Sequence, residues 1–361
     1  MNLTLKKSDL SAILSKASSV TENKATMPIL ASVMLNAHVD GLHVAAYDLE
    51  VAYTGIVPAD ITKPGKVAVS AKALGNVVRS LPEEVVELRQ EKTKLVVTSG
   101  SAEFRLSTTN VEEYPALPAS VEGVGFDVDG VTFAKLLGKV AYAQSHDDTR
   151  YSLNGTYLEA QNGLLMATAT DGHRLANAGV DVKAPEFRGV IVSRKTSSLL
   201  RRVLAAGEVH VEVSENAVTV MHGHEVIVAR LIDGAFPEYA AIYPKTAGKS
   251  VVVVKDALAV LNRLKLVSDS GKWTVSDGSV SLKAVDPDLG EVEDRLVYEG
   301  EGPKTVFGVN GAYVREALSS VEGEKADFYF PADDLSPMVI RSPSMTEGYE
   351  DYTIVMPMRV K

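Results

Sequence analysis

Apolar residues recur three and four apart over six short stretches of the chain, and valine- and threonine-rich runs punctuated by Gly, Asp and Asn lie between them. The helical spacing is read at Leu10, Ile13 and Leu14, at Leu74, Val77 and Val78, and at Phe133, Leu136, Leu137 and Val140. It returns at Leu199, Leu200 and Val203, at Leu258, Leu261 and Leu264, and at Tyr313, Val314 and Ala317. This spacing places the apolar side chains on one face of a helix. The runs Leu42 to Tyr47, Val86 to Leu88, Leu95 to Thr98, Leu164 to Ala169, Val209 to Val213 and Ala217 to Met221 are short and bounded by turn residues, as strands are. The order helix, strands, helix, strands occurs three times.

The recurrence is also visible in identity. Val69, Ser70 and Lys72 return 123 positions later as Val192, Ser193 and Lys195, and Val309 opens a looser third copy. Asp48 and Asp171 stand at the same offset in the first two copies. At 361 residues the chain exceeds what one hydrophobic core usually serves, so it is read as an array of three like domains, 1–120, 126–246 and 249–361. Each is expected to be α+β, with two helices packed on predominantly antiparallel sheet.

Composition sharpens this picture in two places. The chain has no cysteine, which excludes disulfides and thiolate metal ligands and permits a reducing compartment. The residues after Met1 lack the apolar run of a signal peptide, and the longest apolar stretch, Val251 to Val254, is far too short to span a bilayer; a soluble, cytoplasmic protein with no membrane partner is expected. The net charge is −10, yet it is unevenly placed. The helical segments 5–17, 69–81, 131–144, 193–205, 255–266 and 310–320 hold 15 Lys or Arg and three acids, a net +12 that leaves −22 elsewhere. Helices favour glutamate nearly as much as lysine, so propensity does not explain the bias. Equivalent basic helices gathered against a polyanion would explain it.

Chemistry is harder to find. No Gly-Lys pair has the spacing of a phosphate-binding loop, and neither a dinucleotide fingerprint nor a Gly-x-Ser-x-Gly elbow occurs. His222, His224 and Glu225 fall at a glycine turn between two strand-like runs and are read as a hairpin tip, so no metal is expected. The run Thr170-Asp171-Gly172-His173-Arg174 looks catalytic, but one Asp-x-His spacing in a turn defines no proton-transfer geometry. A structural turn or partner-binding loop is the favoured reading, with no catalytic residue and no cofactor. A monomeric peptide-binding adaptor and an enzyme using Asp171 and His173 are the alternatives.

Six segments in register resemble the bacterial DNA polymerase III beta subunit family, the sliding clamps. They are Met27 to Leu30, Asp48 to Val51, Arg150 to Gly155, Thr170 to Leu175, Asp233-Gly234 with Phe236 to Tyr239, and Val355 to Arg359. The resemblance implies three domains of the DNA clamp fold per chain and a head-to-tail homodimer whose six domains close a ring around duplex DNA. The implied activity is sliding without sequence specificity and tethering of polymerase, with no catalysis. The DNA-facing residues it implies are Lys24, Lys72, Arg79, His146, Arg150, Arg194, Lys195 and Arg202. It further implies a pocket for short hydrophobic peptides from the polymerase III catalytic subunit, the clamp loader complex, and other polymerases and repair proteins. Its residues would be Leu153, Thr170, Gly172, His173, Arg174, Leu175, Pro237, Ile242, Asn310, Tyr313, Ile354, Met356 and Met358. Ring closure would use Phe104 and Leu106 of one chain against Leu266 and Val267 of the other.

Overall fold

A computed structural model describes residues 1–21, 27–120, 122–242, 248–343 and 351–359. Six α-helices are present among them: α1 (Lys7–Ser18), α2 (Ala71–Ser80), α3 (Gly130–Val140), α4 (Arg194–Val203), α5 (Val254–Leu264) and α6 (Gly311–Ser320). Each starts directly at the end of a strand. The second helix of every repeat is capped by the same device: Ser70, Ser193 and Asn310 accept from the backbone N–H of Ala73, Thr196 and Ala312 at 3.3, 3.2 and 2.9 Å. The Val-Ser pairs that betray the repeat in sequence are therefore strand ends followed by N-caps. The predicted apolar faces are largely the buried ones, with Val77, Leu258 and Tyr313 half-buried. Leu10, Ile13 and Leu14 are buried in α1; Phe133, Leu136, Leu137 and Val140 in α3; Leu199, Leu200 and Val203 in α4.

The fold forms two compact units, one of Met1–Ala134 with Ser198–Leu231, the other of Lys135–Ser197 with Ile232–Lys361. In the first, strands pair antiparallel in the spatial order 2–6, 85–91, 94–99, 102–109, 65–70, 32–38, 41–47 and 51–57. The sheet then continues into the second repeat through 225–232, 217–222, 208–213 and 124–129. In the second unit the order is 187–193, 155–161, 163–170 and 174–184, and it continues into the third repeat through 352–355, 338–341, 325–329 and 250–253. A separate four-stranded sheet runs 290–297, 279–286, 270–276 and 305–310.

Both repeat junctions are built alike. The last strand of one repeat pairs with the fourth strand of the repeat before it, counting the short 60–63 strand aside: 225–232 on 51–57, and 352–355 on 174–184. Unit boundaries and repeat boundaries differ because backbone hydrogen bonds run across each junction. The third repeat buries Trp273, Phe307, Phe328 and Phe330 with Leu261, Leu264 and Val314 in one core. At about 25 cal/mol per Å² of apolar surface, side chains of this size each contribute substantially to the stability of this repeat.

Candidate functional site

The loop at Asp171 explains itself by comparison with its copy at Asp48. Asp48 Oδ1 accepts from the N–H of Glu50 and Val51 at 2.9 and 2.7 Å, and Leu49 between them has φ 78°. Asp171 Oδ1 accepts from the N–H of His173 and Arg174 at 2.9 and 3.0 Å, and Gly172 has φ 88°. The same tight turn thus serves both repeats, with glycine supplying the left-handed residue only in the second. Asp171 Oδ2 is taken by Arg174 Nε at 3.0 Å, so this carboxylate is committed to the turn and to arginine. The Asp-x-His spacing is structural.

Arg174 is the anchor of the neighbourhood. Its side chain is 9% exposed, Nη1 donates to the carboxylate of Glu316 on α6, and the guanidinium lies 4.4 Å from the ring centre of Tyr313 and 5.5 Å from that of Tyr142. Burial pushes both phenols above their ordinary value, which keeps the rings neutral beneath the cation. Thr170 Oγ1 donates to the Arg174 carbonyl at 2.6 Å and accepts from Gly172 N–H at 3.1 Å. On the opposite face of the strand, Leu175 stands against Ile354 in register and joins Val339 in a buried cluster packed by Tyr239, Tyr329 and Tyr352.

The tail is held by backbone bonds: Met356 N–H donates to the His173 carbonyl, and Met358 N–H to that of Gly308, each at 2.9 Å. Met356, His173, Pro237 and Ile242 are exposed, Met358 and Tyr313 half-buried, and Leu153 buried at the end of the 148–153 turn. Thr170, Gly172 to Leu175, Tyr313, Ile354 and Met356 therefore meet in one region, with Asn310 capping the helix that carries Tyr313. Tyr142, Tyr239 and Glu316 belong to it too and escaped the sequence reading. Their only signal was helix or strand register, because the partners lie far apart in sequence. Replacing the cap, Asn310→Ala, is expected to cost about 1 kcal/mol. A lowered urea midpoint with an unchanged slope would register it.

The cationic candidates fall into two classes. Lys72 and Arg79 are exposed on α2, where Arg79 donates to the Asn76 side chain, and Arg202 is exposed on α4. Arg150 and Arg194 are tied down instead: Arg150 Nη1 donates to the Asp171 carbonyl at 2.8 Å and Nε to Asp147 at 3.1 Å, and Arg194 Nη1 donates to the Ser145 carbonyl at 2.9 Å. His146 is exposed beside Asp147, Lys195 is half-buried, and Lys24 lies outside the described residues. Among other helix cations, Lys16 pairs with Glu225, Lys139 with Asp351, Arg263 with Asp294 and Arg315 with Asp269. The free positive charge of the helices is thus smaller than their composition suggests.

Phe104 and Leu106 are half-buried on strand 102–109, alternating with exposed Glu103, Arg105 and Ser107. Leu266 is 77% exposed just beyond α5, and Val267 is half-buried. His38, Asp40 and His43 form the one group among the described residues with metal-ligand spacing; Asp40 Oδ1 meets His38 Nδ1 at 2.7 Å and His43 Nε2 at 2.8 Å on an exposed hairpin. These imidazoles hold the Asp40 carboxyl down at about 2. No helix among the described residues is long and apolar enough to cross a membrane.

Three models for the DNA polymerase III beta subunit match in succession: the N-terminal domain over residues 1–118, the central domain over 127–238 and the C-terminal domain over 240–359. Among curated proteins, the beta sliding clamp of Caulobacter vibrioides is 31% identical and that of Pseudomonas aeruginosa 29% identical, each over 100% of both chains. Among solved structures, a DNA polymerase sliding clamp from Pseudomonas aeruginosa and the DNA polymerase III beta subunit of Thermotoga maritima each superimpose with a TM-score of 0.94 at 28% identity, covering 100% of both chains.

Proposed function

The chain belongs to the DNA polymerase III beta-subunit family and works as a DNA sliding clamp; from that premise we infer that two protomers join head to tail by repeating, between chains, the junction already used twice within one. The observation that carries this is strand bookkeeping. By position in its repeat, 102–109 is the counterpart of 225–232 and 352–355, and 290–297 is the counterpart of 51–57 and 174–184. Strand 290–297 pairs only with 279–286 among the described strands, and 102–107 only with 94–99, so each keeps one edge open. Open edges of this kind recruit another strand. A third and sixth junction of the same geometry closes the assembly, with Phe104 and Leu106 of one protomer packing near Leu266 and Val267 of its partner.

A closed ring needs no base-reading residue. Phosphate contacts carry no sequence information, and their sum changes little as the protein advances by a base pair. Lys72, Arg79 and Arg202 are the residues best placed to supply them, being exposed on helices; His146, Lys195 and Lys24 complete the set, while Arg150 and Arg194 are tied to Asp147, the Asp171 carbonyl and the Ser145 carbonyl. The region around Arg174, Leu175, Tyr313 and Met356 takes short hydrophobic peptides of the polymerase III catalytic subunit, the clamp loader and other polymerases. Tethering raises the effective concentration of polymerase at its template, which confers processivity without chemistry. The exposed thioether of Met356 suits this exchange, since an unbranched side chain repacks against different ligands.

Sedimentation tests the assembly. The wild-type protein should run near twice its 38.6 kDa chain mass at micromolar concentration, and Leu106→Asp should run as a monomer. A wild-type monomer would overturn the ring.

A further inference from the structure

One cavity lies beside the peptide region and is not accounted for by it. Its volume is 710 Å³, within the usual range for ligand sites of about 300–1,000 Å³. It opens between the strands 155–161, 163–170 and 174–184 and the segment 236–241, and its walls include Tyr157, Phe236, Tyr239, Glu159, Glu238 and Asn177.

The aromatic wall is built with care. Tyr157 and Phe236 stack with ring centres 4.7 Å apart and 10° between planes, and Tyr239 stands edge-on to them at 6.3 and 6.4 Å. Tyr157 lies so close over Gly189 that a Cβ there would fall 1.9 Å from its ring. The Tyr239 hydroxyl donates to Glu159, and burial pushes the phenols of Tyr157 and Tyr239 above their ordinary value, so both rings are neutral.

The polar wall is rich in acceptors. Among the described residues no lysine or arginine lines the cavity, and Arg188, whose charge acts on Tyr157, is exposed and outside the lining. Glu159 and Glu238 bring two carboxyl groups. Asn177 is 2% exposed; its Nδ2 donates to Thr168 Oγ1 at 2.7 Å, but its Oδ1 has no partner. A buried acceptor left unpaired costs about 1–3 kcal/mol.

We propose that this cavity receives an arginine side chain of the partner peptide, next to the apolar anchors that bind around Leu175. A guanidinium lies flat against an aromatic ring while its separate N–H groups reach carboxylate and amide oxygens, which a lysine ammonium does not do. Continuity supports the assignment: Tyr239 and Tyr352 both pack against the Leu175 and Ile354 cluster and both line the cavity. The proposal rests on the peptide-binding reading above and extends it to a flanking basic residue.

The probe is Nα-acetyl-arginine N-methylamide, titrated into the full-length protein by NMR beside its citrulline counterpart, which has the same shape and no charge. The arginine compound should bind and the citrulline compound should not. Glu159→Gln, which keeps an acceptor for Tyr239, and Phe236→Leu should each weaken binding about fivefold, with melting temperatures confirming both folds. Equal binding of the two compounds, no binding of either, or no effect of the variants overturns the proposal. Binding of the whole polymerase III catalytic subunit is measured in parallel to wild type and to a chain ending at Val355. If truncation abolishes it while the arginine compound fails, only the cation cavity falls. If polymerase binding survives truncation, the peptide reading falls whatever the arginine compound does.

Discussion

Once loaded on a nicked circular plasmid, the protein is expected to remain bound through a high-salt wash and to leave the same plasmid when it is cut to a linear form. The contrast should be close to all-or-none. Phosphate binding alone cannot produce it, because each contact releases counterions: about 6–10 contacts lose roughly 10³–10⁵ in affinity between 50 and 200 mM salt, on circles and linear molecules alike. Encirclement separates the two substrates, since a ring leaves a linear duplex by sliding off its end but must open to leave a circle. Charge reversal at Lys72 and Arg202 should slow loading while sparing retention on the circle, because the charges steer and topology holds. Gel filtration of labelled protein with each plasmid form measures the effect, and equal loss from both would remove the topological mechanism.

The second large effect is expected from Arg174→Ala, with a loss of stability of about 3 kcal/mol. The guanidinium is almost wholly withdrawn from water between Asp171, Glu316, Tyr313 and Tyr142. Removing it leaves the Asp171 carboxylate short of one partner and opens a gap beneath two rings. Glu316 is half exposed and its share of the ion pair is screened, so Glu316→Gln should cost well under about 1 kcal/mol. Arg174→Lys should recover only part of the loss, because an ammonium neither stacks on two rings nor donates from two fixed positions. Polymerase affinity should fall with Arg174→Ala, since the loop that carries His173 and the helix that carries Tyr313 are both braced on that one side chain. Urea denaturation and binding to the polymerase subunit, run on the same preparations, read the two consequences. An unchanged midpoint would show that the packing of this arginine is dispensable.

The two predictions differ in how far they could be drawn from the chain alone. Ring retention follows from the repeat, the basic helices and the family resemblance, all visible in linear order. The role of Arg174 does not. In sequence it was one residue of a turn read as structural or partner-binding, and one of the implied pocket residues; in space it became a buried strut, and its partners Tyr142 and Glu316 lie 32 and 142 positions away. Likewise, the composition of the helices overstated their free charge. Lys16, Lys139, Arg263 and Arg315 meet acids from other parts of the chain, contacts that no window of local sequence contains.

The chain itself determined the elements and their threefold order. Periodicity, caps and tight turns act over a few residues, so Ser70, Ser193 and Asn310 declare helix starts, and Asp48 and Asp171 declare turns, wherever they are read. Tertiary structure alone decided which strand edges are spent within the chain and which stay open, which cations are neutralised, and where three aromatic rings, two carboxyl groups and an unpaired amide oxygen converge. Those outcomes depend on contacts across tens to hundreds of residues. Their energies come from burial and desolvation, which exist only after the chain has folded.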